Sequence, residues 1–228
     1  MKTIGEAWYE ARGNRGLRYF TVFCRVALAI GFIPSGIVKI MGERFTALPN
    51  NHPLGHYLEA LHHTGFYYPF IGVAQLSIAI LLLIPRTALL GALAYFPMIL
   101  NICILAYASR FEGTRITTMM LMANLYLLFW DYDRLRHILP FEQPAHERVV
   151  TSTRFPFVFF AFVIAAVAAV VIGNHFLFNI RPGNSMLECT NGCRGASDPQ
   201  ACNDFCDCIY NQGGTLDKCV DEYENAVE

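Results

Sequence analysis

The feature that most limits how this chain can fold is the blocking of its apolar residues into long runs, such as residues 66–84 and 155–173. At about 1.5 Å per residue, runs of this length reach across a hydrocarbon core of roughly 30 Å, which is more than a soluble core helix needs. Charged residues make up only 15% of the chain and hydrophobic ones 54%, whereas a soluble domain carries about 25% charged residues. The fold class expected is therefore all-α, an integral membrane helical bundle. A net charge of −1 hides an asymmetry, because from Asn184 onward nine Asp and Glu face two Arg and Lys, while the segment before the first run is basic. That balance argues against nucleic acid as a partner.

Apolar runs at residues 19–41, 66–84, 88–108, 116–130 and 155–176 predict five transmembrane helices. Pro85-Arg86-Thr87 separates the second from the third as an antiparallel hairpin, since proline ends a helix and arginine must reach the interface. Residues 131–154 carry four Arg and two Pro and read as a polar linker. The expected division is a cytoplasmic segment 1–18, a four-helix bundle 19–140, a cytoplasmic linker 141–154, a fifth helix 155–180 and a six-cysteine tail 181–228. The first run is too long for a signal-peptide core and lacks a small-residue cleavage site, so it is expected to stay in the mature chain.

Lys2, Arg12, Arg15, Arg18, Arg86, Arg134, Arg136, Arg148 and Arg154 fall on one side of this arrangement. Arg44, Arg110, Arg115, Arg181, Arg194 and Lys218 fall on the other. The bias of nine against six puts the N-terminus in the cytoplasm and the tail outside. A bacterial inner membrane with a periplasmic tail accommodates both this bias and the clustered cysteines.

Polar residues inside apolar runs are expensive in lipid and point inward or to a cavity. Lys39 near the outer end of the first helix, Gln75 mid-span in the second, Asn101 in the outer half of the third and Asn124 mid-span in the fourth are expected to share one polar layer. Such a layer either glues the helices by hydrogen bonds or lines a ligand pocket. The outer loop 42–65 carries His56, Glu59, His62 and His63, a group suited to gating that layer. His52 and His56 are spaced as helical metal ligands, but Pro53 and Gly55 between them argue against a helix there, leaving a short helix from Leu54 or Gly55 to His63. No metal site is expected. Cys24 and Cys103 lack a Cys-x-x-Cys partner and serve as small apolar fillers.

Cys189, Cys193, Cys202, Cys206, Cys208 and Cys219 lie close together in the tail, an even number typical of a disulfide framework in an oxidising compartment. The two Cys-x3-Cys pairs each place two sulfurs on one helix face, Asp198-Pro199 starts a helix, and Gly213-Gly214 stops it before Thr215 caps the last one. Three short helices of this size need covalent staples to hold together. In an antiparallel hairpin the first cysteine of one pair faces the second of the other, which predicts Cys189 to Cys206 and Cys193 to Cys202, with Cys208 reaching Cys219. A redox-active Cys206 and Cys208 pair and a metal cluster are the alternatives.

Arg25 to Lys39 in the first run, Gly72-Val-Ala-Gln75 ahead of a leucine-rich stretch, Arg86-Thr87-Ala88 with Gly91, and Asn124 with Asp131 together resemble the DoxX family. The resemblance spans about residues 19–138 and implies a compact four-helix membrane bundle, in a family that includes subunits linked to quinone reduction and proteins tied to thiol redox homeostasis. The fifth helix and the cysteine tail depart from that pattern. The function expected is a membrane subunit or binding module that holds a quinone or lipid on Lys39, Gln75, Asn101 and Asn124. Membrane lipids surround it, and the tail docks on an exported protein or another membrane subunit. A quinone-linked thiol or sulfur oxidoreductase and a structural accessory subunit remain as alternatives, since no catalytic signature is present.

Overall fold

A computed structural model describes residues 11–138, 155–178 and 180–227. These residues are mostly helical and contain no strand. The first long helix among the described residues, α1 (Arg15–Ile40), starts where Asn14 accepts hydrogen bonds from the Gly16 and Leu17 amides at 2.9 and 3.3 Å. It begins four residues before the apolar run expected from residue 19, because the cap and not the first apolar residue sets its start. Its buried positions, Leu17, Thr21, Cys24, Leu28, Phe32, Gly36 and Lys39, recur every three or four residues and define one inward stripe.

After α1 the chain turns at Gly42, whose φ of +73° belongs to the left-handed region. The short helix α2 (Pro53–His62) follows and meets α3 (Tyr67–Leu83) at 98°. Helix α4 (Ala88–Ala108) returns after the Pro85 break, and α5 (Thr114–Trp130) closes a ring in which α1 packs on α3, α3 on α4, α4 on α5 and α5 on α1. A seven-residue α6 (Tyr132–Ile138) continues from α5. Helix α7 (Phe157–Leu177) lies outside the ring against α5.

Close helix approach depends on glycine at two crossings. A Cβ on Gly36 would lie 2.9 Å from the Gly72 carbonyl, and one on Gly72 would lie 2.6 Å from the Gly36 carbonyl, so α1 and α3 touch backbone to backbone. Gly91 does the same for the α3–α4 hairpin, where a Cβ would meet the Leu82 nitrogen at 2.7 Å. The centre of the ring is filled by Leu28, Phe32, Ile78, Leu82, Tyr95 and Leu127. Phe32 and Tyr95 stack at 3.8 Å between centroids, an aromatic pairing worth about 0.5–1.5 kcal/mol beyond burial.

Three helices, α1, α4 and α7, are long and apolar enough to cross a membrane, and α3 becomes a fourth when taken with the bent α2. Helix α5 has 17 residues, or about 25 Å, and follows the same ring. Along α7 only Asn174 is fully buried; Phe159, Phe160, Val163, Ala166 and Val170 are half-buried and most of its other apolar side chains are exposed.

The tail folds into α8 (Met186–Gly192), a 3-10 turn, α9 (Pro199–Tyr210) and α10 (Leu216–Val227). Asp198 caps α9 by accepting from the Gln200 and Ala201 amides at 2.9 and 3.0 Å, ahead of Pro199 at the first helical position. Residues 1–10 and 139–154, which include the expected N-terminal segment up to residue 10 and the linker 141–154, lie outside the described residues.

Candidate functional site

The end of the bundle that carries the cysteine tail holds a short polar chain. Lys39 is buried, and its Nζ donates to the Ser35 Oγ at 2.6 Å and to the Ser35 carbonyl at 3.2 Å. Ser35 Oγ donates in turn to Gln75 Oε1 at 3.2 Å, so Lys39, Ser35 and Gln75 join α1 to α3. The ring of Phe45 covers the ammonium at 4.3 Å from its centroid. Among the described residues no carboxylate pairs with Lys39. A buried cation with only neutral partners has a strong residual demand for an electron-rich group.

Two of the four residues expected in this layer are placed elsewhere. Asn124 is fully buried but donates to the Ala92 carbonyl at 3.0 Å, one turn into α4 and toward the opposite end of the bundle. Its Oδ1 has no hydrogen-bond partner among the described residues. Asn101 is exposed. The buried positions of α4 include Tyr95, Ile99, Cys103 and Ala106, and a residue two places from both Ile99 and Cys103 falls on the other face of the helix. Its depth along the run was legible, whereas its direction was not.

In loop 42–65 the expected short helix is present and starts one residue earlier, at Pro53. Pro53 and Gly55 do not prevent a helix: Pro53 is its first residue, where a missing N–H costs nothing, and His52 is its cap, accepting from the Leu54 amide at 3.2 Å. Gly55 is required because a Cβ would sit 2.1 Å from the Pro49 carbonyl. His56 is exposed, and only a backbone bond joins it to His52. Glu59 bonds His63 at 3.0 Å and pairs with Arg44 at 3.2 Å. The His63 hydrogen bond, and then the Arg44 charge, hold the Glu59 carboxyl below its usual pKa. His62 packs edge-on against Tyr68, with ring centroids 5.2 Å apart. The buried histidine of this loop is His52, whose Nε2 makes no hydrogen bond of good geometry among the described residues but faces the Ser109 backbone. Burial lowers its pKa to about 4, against a smaller opposing pull from the Ser109 backbone.

The link between the polar chain and the tail runs through adjacent residues. Phe45 rests on Lys39, and Thr46 hydrogen-bonds Asn184. Asn51 donates to the Ile209 and Gly214 carbonyls, and Arg110 pairs with Glu224 at 4.0 Å. Asn174 ties the outer end of α7 to α5 by donating to Thr114 Oγ1 at 2.7 Å while accepting from Arg115 and Arg181. The tail is thus a cap seated on the chain's own outer loops.

Within the cap, bridges join Cys189 to Cys206, Cys193 to Cys202 and Cys208 to Cys219. These are the partners expected from the hairpin geometry. The sulfurs of Cys193, Cys202 and Cys206 lie within 4.8 Å of one another because the first two bridges are stacked. All six cysteines are buried around Phe205, Ile209, Val220 and Tyr223, and Asp204, Asp217, Asp221, Glu222 and Glu224 remain exposed. Cys24 and Cys103 are free and buried in the bundle.

A second polar cluster, absent from the expected site, occupies the other end of the bundle. Asp131, just after α5 and buried, pairs with Arg12 at 3.0 Å and Arg25 at 3.5 Å, and Asp133 lies 3.7 Å from Arg12. Arg25 and Asp131 each stand out in the sequence as charges at the ends of apolar runs. Nothing in their separation announces that they meet.

The uncharacterized protein YwoB of Bacillus subtilis (strain 168) is 30% identical to this chain over 138 residues, which cover 55% of the chain and 85% of YwoB. The chain belongs to the YwoB family. The match leaves a little under half of the chain outside it. No protein-family model matches the chain, and no solved structure matches it.

Proposed function

We propose that the chain is a DoxX-like integral membrane binding subunit. It crosses a bacterial inner membrane five times, with the basic N-terminus in the cytoplasm and the disulfide cap outside. The polar chain of Lys39, Ser35 and Gln75 receives the carbonyl or anionic head of a hydrophobic ligand, a quinone or a lipid. The exposed acids of the cap dock an exported partner with a basic surface. The observation that carries this reading is Lys39, buried under Phe45 with neutral partners alone. Phe45 neighbours Thr46, which is bonded to the cap, so an event on the cap has a physical route to the ligand site. The membrane-length apolar helices support insertion, and the Bacillus relative supports a bacterial source.

An oxidoreductase is less well supported, because each tail cysteine is bridged and the two free cysteines are buried in the bundle.

Ligand extraction from the purified protein tests the proposal. The expected result is one quinone or lipid retained per chain and lost in both Lys39→Met and Gln75→Leu. Retention undiminished in both variants, or no retained ligand in the parent protein, overturns the ligand site. Topology is checked separately by impermeant maleimide on reduced intact cells. Labelling of the tail only after lysis would reverse the orientation.

A further inference from the structure

The arginines at the inner end of the bundle do more than neutralise Asp131. Arg18, Thr21, Val22 and Arg25 stand at i, i+3, i+4 and i+7 and so share one face of α1. With Arg12 and Trp130 they line a cleft of about 400 Å³ between the start of α1 and the end of α5. Asp131 and Asp133 draw the Arg12 and Arg25 side chains toward the end of α5. Arg18 is exposed and donates from Nε to the Arg12 carbonyl at 3.1 Å. Among the described residues Arg18 makes no ion pair, so its guanidinium keeps donors for a ligand, and exposed Arg15 adds another positive charge nearby. Each guanidinium has five N–H donors in a planar fork, which suits the oxygens of a phosphate better than a single carboxylate can use up.

The surroundings say what carries that phosphate. Tyr19, Val22, Phe23 and Val26 on the same stretch of α1 are 76%, 54%, 64% and 39% exposed, an apolar margin along which acyl chains can lie. Trp130 stands at the cleft edge, the position an amphipathic aromatic takes at a membrane interface. A soluble phosphate needs no apolar margin. We propose that this cleft binds the phosphate group of an anionic phospholipid, as a site separate from the Lys39 chain and at the opposite end of the bundle. Basic pockets between membrane helices on the cytoplasmic side recognise anionic head groups by this chemistry. The lipid source rests on the membrane reading above, whereas the cleft and its charge rest on the fold alone.

The full chain, purified in detergent, is titrated with phosphatidylglycerol, phosphatidylcholine and inorganic phosphate, and bound species are counted by native mass spectrometry. Phosphatidylglycerol is expected to bind preferentially. Arg18→Gln should weaken it about tenfold, the loss of a charge-assisted fork of hydrogen bonds to the phosphate oxygens. Arg86→Gln, an equally exposed arginine outside the cleft, should leave it unchanged. If Arg18→Gln cannot be purified, Arg18→Lys decides the matter, because it keeps the charge and removes the fork and should still weaken binding.

Equal binding of phosphatidylcholine overturns the proposal, as does equal loss in the Arg18 and Arg86 variants, which would mean surface attraction only. Inorganic phosphate that displaces the lipid at comparable concentration assigns the cleft to a soluble anion and overturns the lipid source. The membrane reading is judged independently by the maleimide labelling, so the two failures are distinguishable.

Discussion

Asn51 donates from its side-chain amide to the backbone carbonyl of Ile209, 2.8 Å away and 158 residues later in the chain. The same nitrogen also reaches the Gly214 carbonyl, so one outer-loop residue serves the two carbonyls that flank the turn between α9 and α10. Asn51→Ala removes the donor and leaves partly buried acceptors without a partner, at a cost of about 1–3 kcal/mol. Hydrogen exchange of the purified protein should show faster opening at residues 209–216 and 53–62, with the bundle helices unchanged. Unaltered exchange in both segments would mean that Asn51 does not hold the cap.

The third bridge of the cap depends on a glycine. A Cβ on Gly214 would lie 2.6 Å from Cys208 Sγ and 2.7 Å from Cys219 Sγ, so Gly214→Ala forces the bridge or the turn to move. The neighbouring Gly213 has a φ of +70° and open space around its Cα. Gly213→Ala therefore brings backbone strain of about 1–2 kcal/mol but no clash. Non-reducing peptide mapping should find Cys208 bridged to Cys219 intact in Gly213→Ala and depleted in Gly214→Ala. Loss of the bridge removes on the order of 2–4 kcal/mol from a unit this small. An intact bridge in Gly214→Ala would show that the turn relaxes freely.

Much of this architecture can be read without coordinates where a local rule governs it. The Asp198-Pro199 start of α9 and the opposed Cys-x3-Cys pairs follow from helix geometry over a few residues, and the apolar runs mark the long helices. Direction around a helix axis is harder to read. Asn101 and Lys39 sit in similarly apolar runs, yet one is exposed and the other buried, because neighbouring helices decide which face is inside. Contacts across long separations are harder still. Arg25 with Asp131, Asn51 with Ile209 and Thr46 with Asn184 join parts of the chain that no spacing rule relates. His52 was masked by Pro53 and Gly55, residues that usually signal a break and here mark a helix start.

Lys39 separates a ligand site from simple helix glue. Lys39→Met removes a buried charge that has no counter-ion among the described residues and keeps most of the side-chain volume. The thermal midpoint of the ligand-free protein should therefore stay level or rise. Added quinone or lipid should stabilise the parent protein by about 2.7 kcal/mol at a hundredfold excess over Kd and leave Lys39→Met unmoved. If the variant is less stable without ligand and gains as much with it, the lysine is structural.

The buried histidine makes the outer loop sensitive to acid. His52 has its pKa lowered to about 4 by burial, whereas an exposed histidine titrates near 6.5. Well above pH 6.5 it is neutral in folded and unfolded chains alike and contributes no pH dependence. Between pH 6.5 and about 4 the unfolded chain takes up a proton that the folded one refuses, so stability falls as pH falls. Between pH 7 and 5 the loss is about 2 kcal/mol, the slope approaching roughly 1.4 kcal/mol per pH unit between the two pKa values. Protonation also removes the acceptor that caps α2 at the Leu54 amide. His52→Asn retains a side-chain acceptor at the cap and removes the titration. Glu59 has a lowered pKa, so its contribution is lost only below the ordinary carboxylate range, and stopping at pH 5 keeps the two groups apart. Thermal unfolding of the parent and of His52→Asn, compared at pH 7 and pH 5, should show the larger drop in the parent. Equal drops would assign the acid sensitivity to other groups and leave His52 as a cap alone.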